Sequence, residues 1–158
     1  MHLKRIITGL ILSLLLGSGI SIAADFNSGV KAAQSGDFKT ALEEWTPLAE
    51  QGHTDAQHYL AYLYLSGNGV PQNYKTARQW FNLAAKQGNA DAQYNLGVIF
   101  ANGHGVDENA ENAVKWFTLA AEQGLALAQH NLGLTYDKGY GVSQNDQTAV
   151  KWYTKSAE

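Results

Sequence analysis

Residues Ala90–Gly97 read ADAQYNLG, and the octet returns as TDAQHYLA at Thr54–Ala61 and as ALAQHNLG at Ala126–Gly133. The spacing is constant. Gly52, Gly88 and Gly124 stand 36 residues apart, as do the glycine pairs Gly67/Gly69, Gly103/Gly105 and Gly139/Gly141 and the tryptophans Trp80, Trp116 and Trp152. Octet, glycines and tryptophans keep one register, so a single structural unit is repeated. Periods of about 20 to 50 residues belong to stacked supersecondary units, each too small to bury its own apolar face. Binding, rather than catalysis, is the default use of such a scaffold.

Within the octet, Leu60, Leu96 and Leu132 are followed one helical turn later by Tyr64, Phe100 and Tyr136, which predicts a helix A with one apolar face. The small residue after each leucine, Ala61, Gly97 or Gly133, admits a neighbouring helix closely. The glycine pair then stops the helix in left-handed backbone, and Val70, Val106 or Val142 anchors the loop. Asn73, Asn109 and Asn145 stand where an asparagine would cap the next helix. That helix B carries Ala77, Trp80 and Phe81, then Ala113, Trp116 and Phe117, then Ala149, Trp152 and Tyr153 on its buried stripe. Gln51-Gly52, Gln87-Gly88 and Gln123-Gly124 end it. The expected fold is all-α, a right-handed α/α superhelix of helix-turn-helix repeats with a 36-residue period.

The units fall at 53–88, 89–124 and 125–158, preceded by a degenerate one at 25–52 in which Ala33, Ala41, Trp45, Leu48 and Ala49 replace the full pattern. Trp45 there aligns with Phe81 rather than with Trp80. The last unit is incomplete, stopping at Ala157-Glu158 before the expected Gln-Gly, as a cut-off fragment or a shortened end would.

Residues 1–24 read as a secretory signal peptide: Lys4 and Arg5, the apolar run Ile6–Leu16, then Ser21-Ile22-Ala23-Ala24. The run is shorter than the ~20 residues a spanning helix needs, and without cysteine there is no lipid attachment or disulfide. Export to the periplasm, or secretion, with no stable membrane insertion after cleavage, is the expectation. Without Lys4 and Arg5 the chain has 11 − 2 = 9 basic residues against 14 acidic ones, a formal charge of −5 that disfavours nucleic acid.

The unit Ala-x-Ala-Gln-x-x-Leu-Gly-x-x-Tyr/Phe-x-x-Gly-x-Gly-Val, followed by Ala-x-x-Trp-Phe and Ala-Ala-x-x-Gly, resembles the Sel-one-like repeat family, tetratricopeptide-like α/α solenoids. The departures are Ala61 for the helix A glycine and Leu127 where Asp55 and Asp91 stand. The resemblance implies an exported bacterial scaffold, adaptor or regulator that binds partner proteins on the concave face of the repeats. It leaves the partner open. An alternative is a cell-envelope accessory or hydrolase acting on peptidoglycan or β-lactam-type substrates, although the cysteine pairs of relatives linked to β-lactams are missing.

Catalytic, cofactor and metal constellations are not evident. His58 and His130 share a repeat position two units apart, about 20 Å for helices packed about 8 to 10 Å apart, too far for one ion. His53 and His104 fall at turns. Ser28-Gly29-Val30-Lys31 matches Ser-x-x-Lys without the companion motifs of penicillin-recognising enzymes. The Gly-x-Gly loops follow helices, unlike a dinucleotide fingerprint. Trp80, Trp116 and Trp152 read as packing knobs rather than as a sugar platform.

At about 100° per residue, Ala56, Gln57, Leu60, Ala61, Tyr64 and Gly67 share a core sector about 140° wide. Opposite runs a stripe whose content changes: Tyr59, Tyr62 and Ser66, then Asn95, Val98 and Asn102, then Asn131, Leu134 and Lys138. These are the candidate partner-binding residues, because a constant sector maintains the stack while a variable one is free to be read.

Overall fold

The asparagines act as the sequence requires. Oδ1 of Asn73, Asn109 and Asn145 accepts from the backbone N–H of Thr76, Asn112 and Thr148 at 2.9, 2.8 and 2.9 Å, starting the second helix of each of the last three units. Gly67, Gly103 and Gly139 stop the intervening helices at φ of 76°, 65° and 70°, a region that costs a side chain but not glycine. A computed structural model describes residues 24–158, so the signal segment expected at 1–24 lies outside the described residues apart from Ala24. It contains α1 (Phe26–Gln34), α2 (Phe38–Glu50), α3 (Thr54–Ser66), α4 (Tyr74–Lys86), α5 (Ala90–Asn102), α6 (Ala110–Glu122), α7 (Ala126–Lys138) and α8 (Asp146–Ser156). Among the described residues there is no strand. Each helix packs on the next in chain order, which makes an α/α solenoid.

The core is a row of clusters along the solenoid. Ala56, Leu60 and Leu63 join Ala41, Trp45 and Ala49; Leu96 and Ile99 join Ala61, Ala77 and Phe81; Leu132 joins Ala113, Val114 and Phe117. Two expectations are corrected. The A-helix sector extends about 20° further, to Leu63, Ile99 and Thr135, all buried, while Tyr64 is half-buried. On the B helices Phe81 and Phe117 are 0% and 4% exposed, but Trp80, Trp116 and Trp152 are only half-buried and lie along the cluster edges. Adjacent residues differ by about 100° around a helix, so only one of each Trp-Phe pair can point at the axis of the stack. Trp45, in register with Phe81, is buried at 1%.

The first unit is regular once its loop is counted. Three residues, 35–37, separate α1 from α2, whereas seven, 67–73, separate α3 from α4, a difference of 7 − 3 = 4. With that shift Gly29 takes the place of Ala61, Gly97 and Gly133. Gly29 is buried against the indole of Trp45, as Gly97 is against the ring of Phe117.

A relay of glutamines, with Gln57, Gln93 and Gln129 buried, joins each B helix to the A helix after it. Nε2 of Gln57, Gln93 and Gln129 donates to the carbonyl oxygens of Ala49, Ala85 and Ala121 at 3.0, 3.1 and 3.1 Å. Gln87 and Gln123, at the ends of α4 and α6, donate in turn to Oε1 of Gln57 and Gln93 at 2.7 Å. Each of these carbonyls already accepts the N–H of Gly52, Gly88 or Gly124 at 3.0 Å, so the glutamine fills the second lone pair and ties the end of one B helix to the next A helix.

Candidate partner-binding face

The nine stripe positions lie on α3, α5 and α7, one register set per helix. Tyr59, Tyr62 and Leu134 are 39%, 50% and 39% exposed. Ser66, Asn102 and Lys138 are also exposed, while Asn95, Val98 and Asn131 are half-buried. Lys138 is held by Asp137 at 3.0 Å, a pairing that raises its pKa, chiefly through the hydrogen bond.

Two hollows open beside this stripe. One, of about 280 Å³, lies between α1 and α3 over Trp45 and is lined by Tyr59, Tyr62, Val30, Phe38 and Asn68. The larger, of about 470 Å³, lies between α5 and α7 with Phe117 of α6 beneath, and takes in Val98, Asn102, Asn131 and Leu134. Its volume is in the range of ligand pockets, about 300 to 1,000 Å³. Sequence reading missed several of its other walls, among them Tyr94, Glu108, Ala110 and Thr135. The available signal was departure from the repeat, since Ala110 stands where Tyr74 does and Thr135 where Ile99 does, 36 residues earlier.

Tyr59 is less free than its stripe position implies. Its ring lies 5.0 Å from Trp45, 5.6 Å from Phe26 and 5.2 Å from His58, centroid to centroid, so it both presents a surface and closes the first cluster. His58 lies 5.8 Å from Phe81, and burial holds its pKa below the ordinary histidine value although Asp91 and Asp55 pull it upward. His130 is exposed. His53 caps α3 through Nδ1, which accepts from Ala56 N–H at 3.2 Å, and His104 stacks on Tyr74 at 4.9 Å. Among the described residues no group of three or more histidines or carboxylates could hold a metal ion. Ser28 donates from Oγ to Asp25 Oδ2 at 2.9 Å, a first-turn contact that helps to hold the Asp25 carboxyl below its usual range. No described helix is long and apolar enough to cross a membrane.

The family model for the Sel1 repeat matches residues 54–89, 90–125 and 126–158, bounds one residue later than those read from the sequence for the first two units; the pair α1–α2 lies outside the matches. A Sel1 repeat protein from Oxalobacter formigenes has a solved structure that matches with a TM-score of 0.81 at 34% identity, over 84% of this chain and 55% of that one. A protective antigen present in uropathogenic Escherichia coli strains, displaying an SLR fold, matches with a TM-score of 0.74 at 35% identity, over 84% of this chain and 33% of that one. The chain therefore spans about half of one and a third of the other. Cysteine rich protein B of Helicobacter pylori shares the fold, with a TM-score of 0.60 at 23% identity over 77% of this chain and 86% of its own. No curated protein gives a significant match.

Proposed function

Since the chain belongs to the Sel1 repeat family, whose members typically serve as protein–protein interaction scaffolds, we propose that it is an exported scaffold holding segments of partner proteins along its A-helix stripe. One observation carries the reading. Side chains that change from repeat to repeat border two hollows, while the residues beneath are a repeated core of alanine, leucine and aromatic rings. A shared frame with a variable face suits recognition of an extended segment, in which successive side chains meet successive A helices. Export rests on the basic, apolar and small-residue succession of residues 1–24.

The test uses positions that the stack does not need. Tyr62→Ser with Leu134→Ser removes two exposed side chains and leaves Tyr59 on Trp45. A partner captured from envelope extract and then purified should bind the double variant at least about a hundredfold more weakly, the loss expected when two central anchors are truncated. Undiminished affinity in a folded variant would place the contact on another face, such as the B-helix side that exposes Leu83 and Leu119. Export is checked by fractionating cells and sequencing the mature N-terminus, expected at Ala24 or Asp25.

A further inference from the structure

The larger hollow differs from its counterpart one repeat earlier in a consistent direction. Between α3 and α5 the polar groups are tied down: Gln72 donates from Nε2 to the Leu65 carbonyl at 2.9 Å, Ser66 from Oγ to that of Tyr62 at 2.9 Å, and Asn95 from Nδ2 to that of Asp91 at 2.8 Å. The ring of Tyr74 stacks on His104 there, at 4.9 Å and 16° between planes. Thirty-six residues later the same positions hold Glu108, Asn102, Asn131, Ala110 and Tyr140, all of them lining the hollow. A carboxylate cannot donate as Gln72 does. Alanine leaves out the ring that Tyr74 supplies.

Glu108 is the one charged side chain among the lining residues, and neither ion pair of the described residues includes it. The one lysine of α7, Lys138, is paired with Asp137. Two amides, Asn102 and Asn131, can each donate to and accept from a peptide backbone, and Tyr94 and Tyr140 add aromatic rings to the lining, of a kind that attracts cations. We propose that this hollow takes an arginine or lysine side chain of an extended partner segment, its cation beside Glu108 and its backbone across Asn102 and Asn131. The net acidity of the chain beyond Ala24, 9 basic against 14 acidic residues, favours the same sign of partner. This inference rests on the stripe reading and specifies what one part of the stripe reads.

The experiment titrates the isotopically labelled full chain with the blocked pentapeptide Ala-Ser-Arg-Ser-Ala and with its Glu-centred counterpart, following backbone amide shifts. The arginine peptide should move the amides of Asn102, Asn131 and Tyr140 and bind about tenfold more tightly than the glutamate peptide, with affinity falling as salt is added. Glu108→Gln should bring the two within about twofold, and Glu108→Lys should reverse the preference. Ala110→Tyr restores a ring that the preceding repeat already carries, so it should fold with an unchanged thermal midpoint and lose the arginine peptide. Thr135→Ile, which restores the residue of α5, is the second filling variant. Equal shifts by both peptides, no shift by either, or unaltered arginine-peptide binding in a folded Ala110→Tyr or Thr135→Ile chain would overturn the proposal. If these peptides fail while partner capture still depends on Tyr62 and Leu134, the cation site is wrong and the scaffold reading stands. Peptide binding without stripe-dependent capture would mean the reverse.

Discussion

Phe117 meets Gly97 so closely that a Cβ on the glycine would lie 2.5 Å from the ring, and the ring is 4% exposed. Trp116, its neighbour, is half-buried at the edge of a cluster. Large-to-small changes cost in proportion to what is buried, so Phe117→Ala should lower stability by about 3–5 kcal/mol and Trp116→Ala by only about 1–3 kcal/mol. Urea denaturation of both variants gives the order; a larger loss at Trp116 would show that the cluster edge carries the stack. His58 supplies a pH test. Its folded pKa is depressed by burial, so the folded chain binds the proton less well than the unfolded chain. The stabilisation is therefore complete above the ordinary value of 6.5 and is lost as pH falls toward and through the lower folded value. The urea midpoint should decline from about pH 7.5 to about pH 5, and His58→Gln should make that decline shallower. An identical decline in the variant would assign the acid sensitivity to other groups.

Helix boundaries are the most local feature of the fold and the most legible. Asn109→Ala removes the side-chain acceptor that holds Asn112 N–H at 2.8 Å, and should cost about 1 kcal/mol with greater amide exchange confined to the first turn of α6. No change in exchange there would mean that water replaces the cap fully. The period, the caps and the glycine stops could be read because each depends on one residue type at one place. Which of Trp116 and Phe117 is central could not, because both recur and recurrence carries no angle. Gly29 was hidden for another reason: the α1–α2 loop is shorter, so comparison at a fixed 36-residue offset passes over it. The larger hollow was hidden most deeply. It is made by Ala110, Thr135 and Glu108 departing from the repeat, and a consensus reading averages such departures away.

Across the described residues, stability is approximately a sum over neighbouring units, and α8 has its main packing from α7, where α6 is packed by both α5 and α7. Val150 is 62% exposed where Val114, one period earlier, is 8% exposed. Hydrogen exchange should accordingly be fastest, among the helices after α2, from Asn145 onward, and appending one polar helix should slow it. Protection of α8 in a monomer equal to that of α6 would show that a half-covered helix is stable enough alone. The glutamine relay has a consequence for the length of the chain. Every link joins the same atoms at the same offset, so the molecule can be spliced in whole steps and in no others. Removing residues 90–125, which is 125 − 90 + 1 = 36 residues, would bring Gln129 into the place of Gln93, facing the Ala85 carbonyl, and put α7 where α5 had been. That shortened chain should fold cooperatively, whereas excision of about half as many residues should not, because it would set an A helix against partners shaped for a B helix.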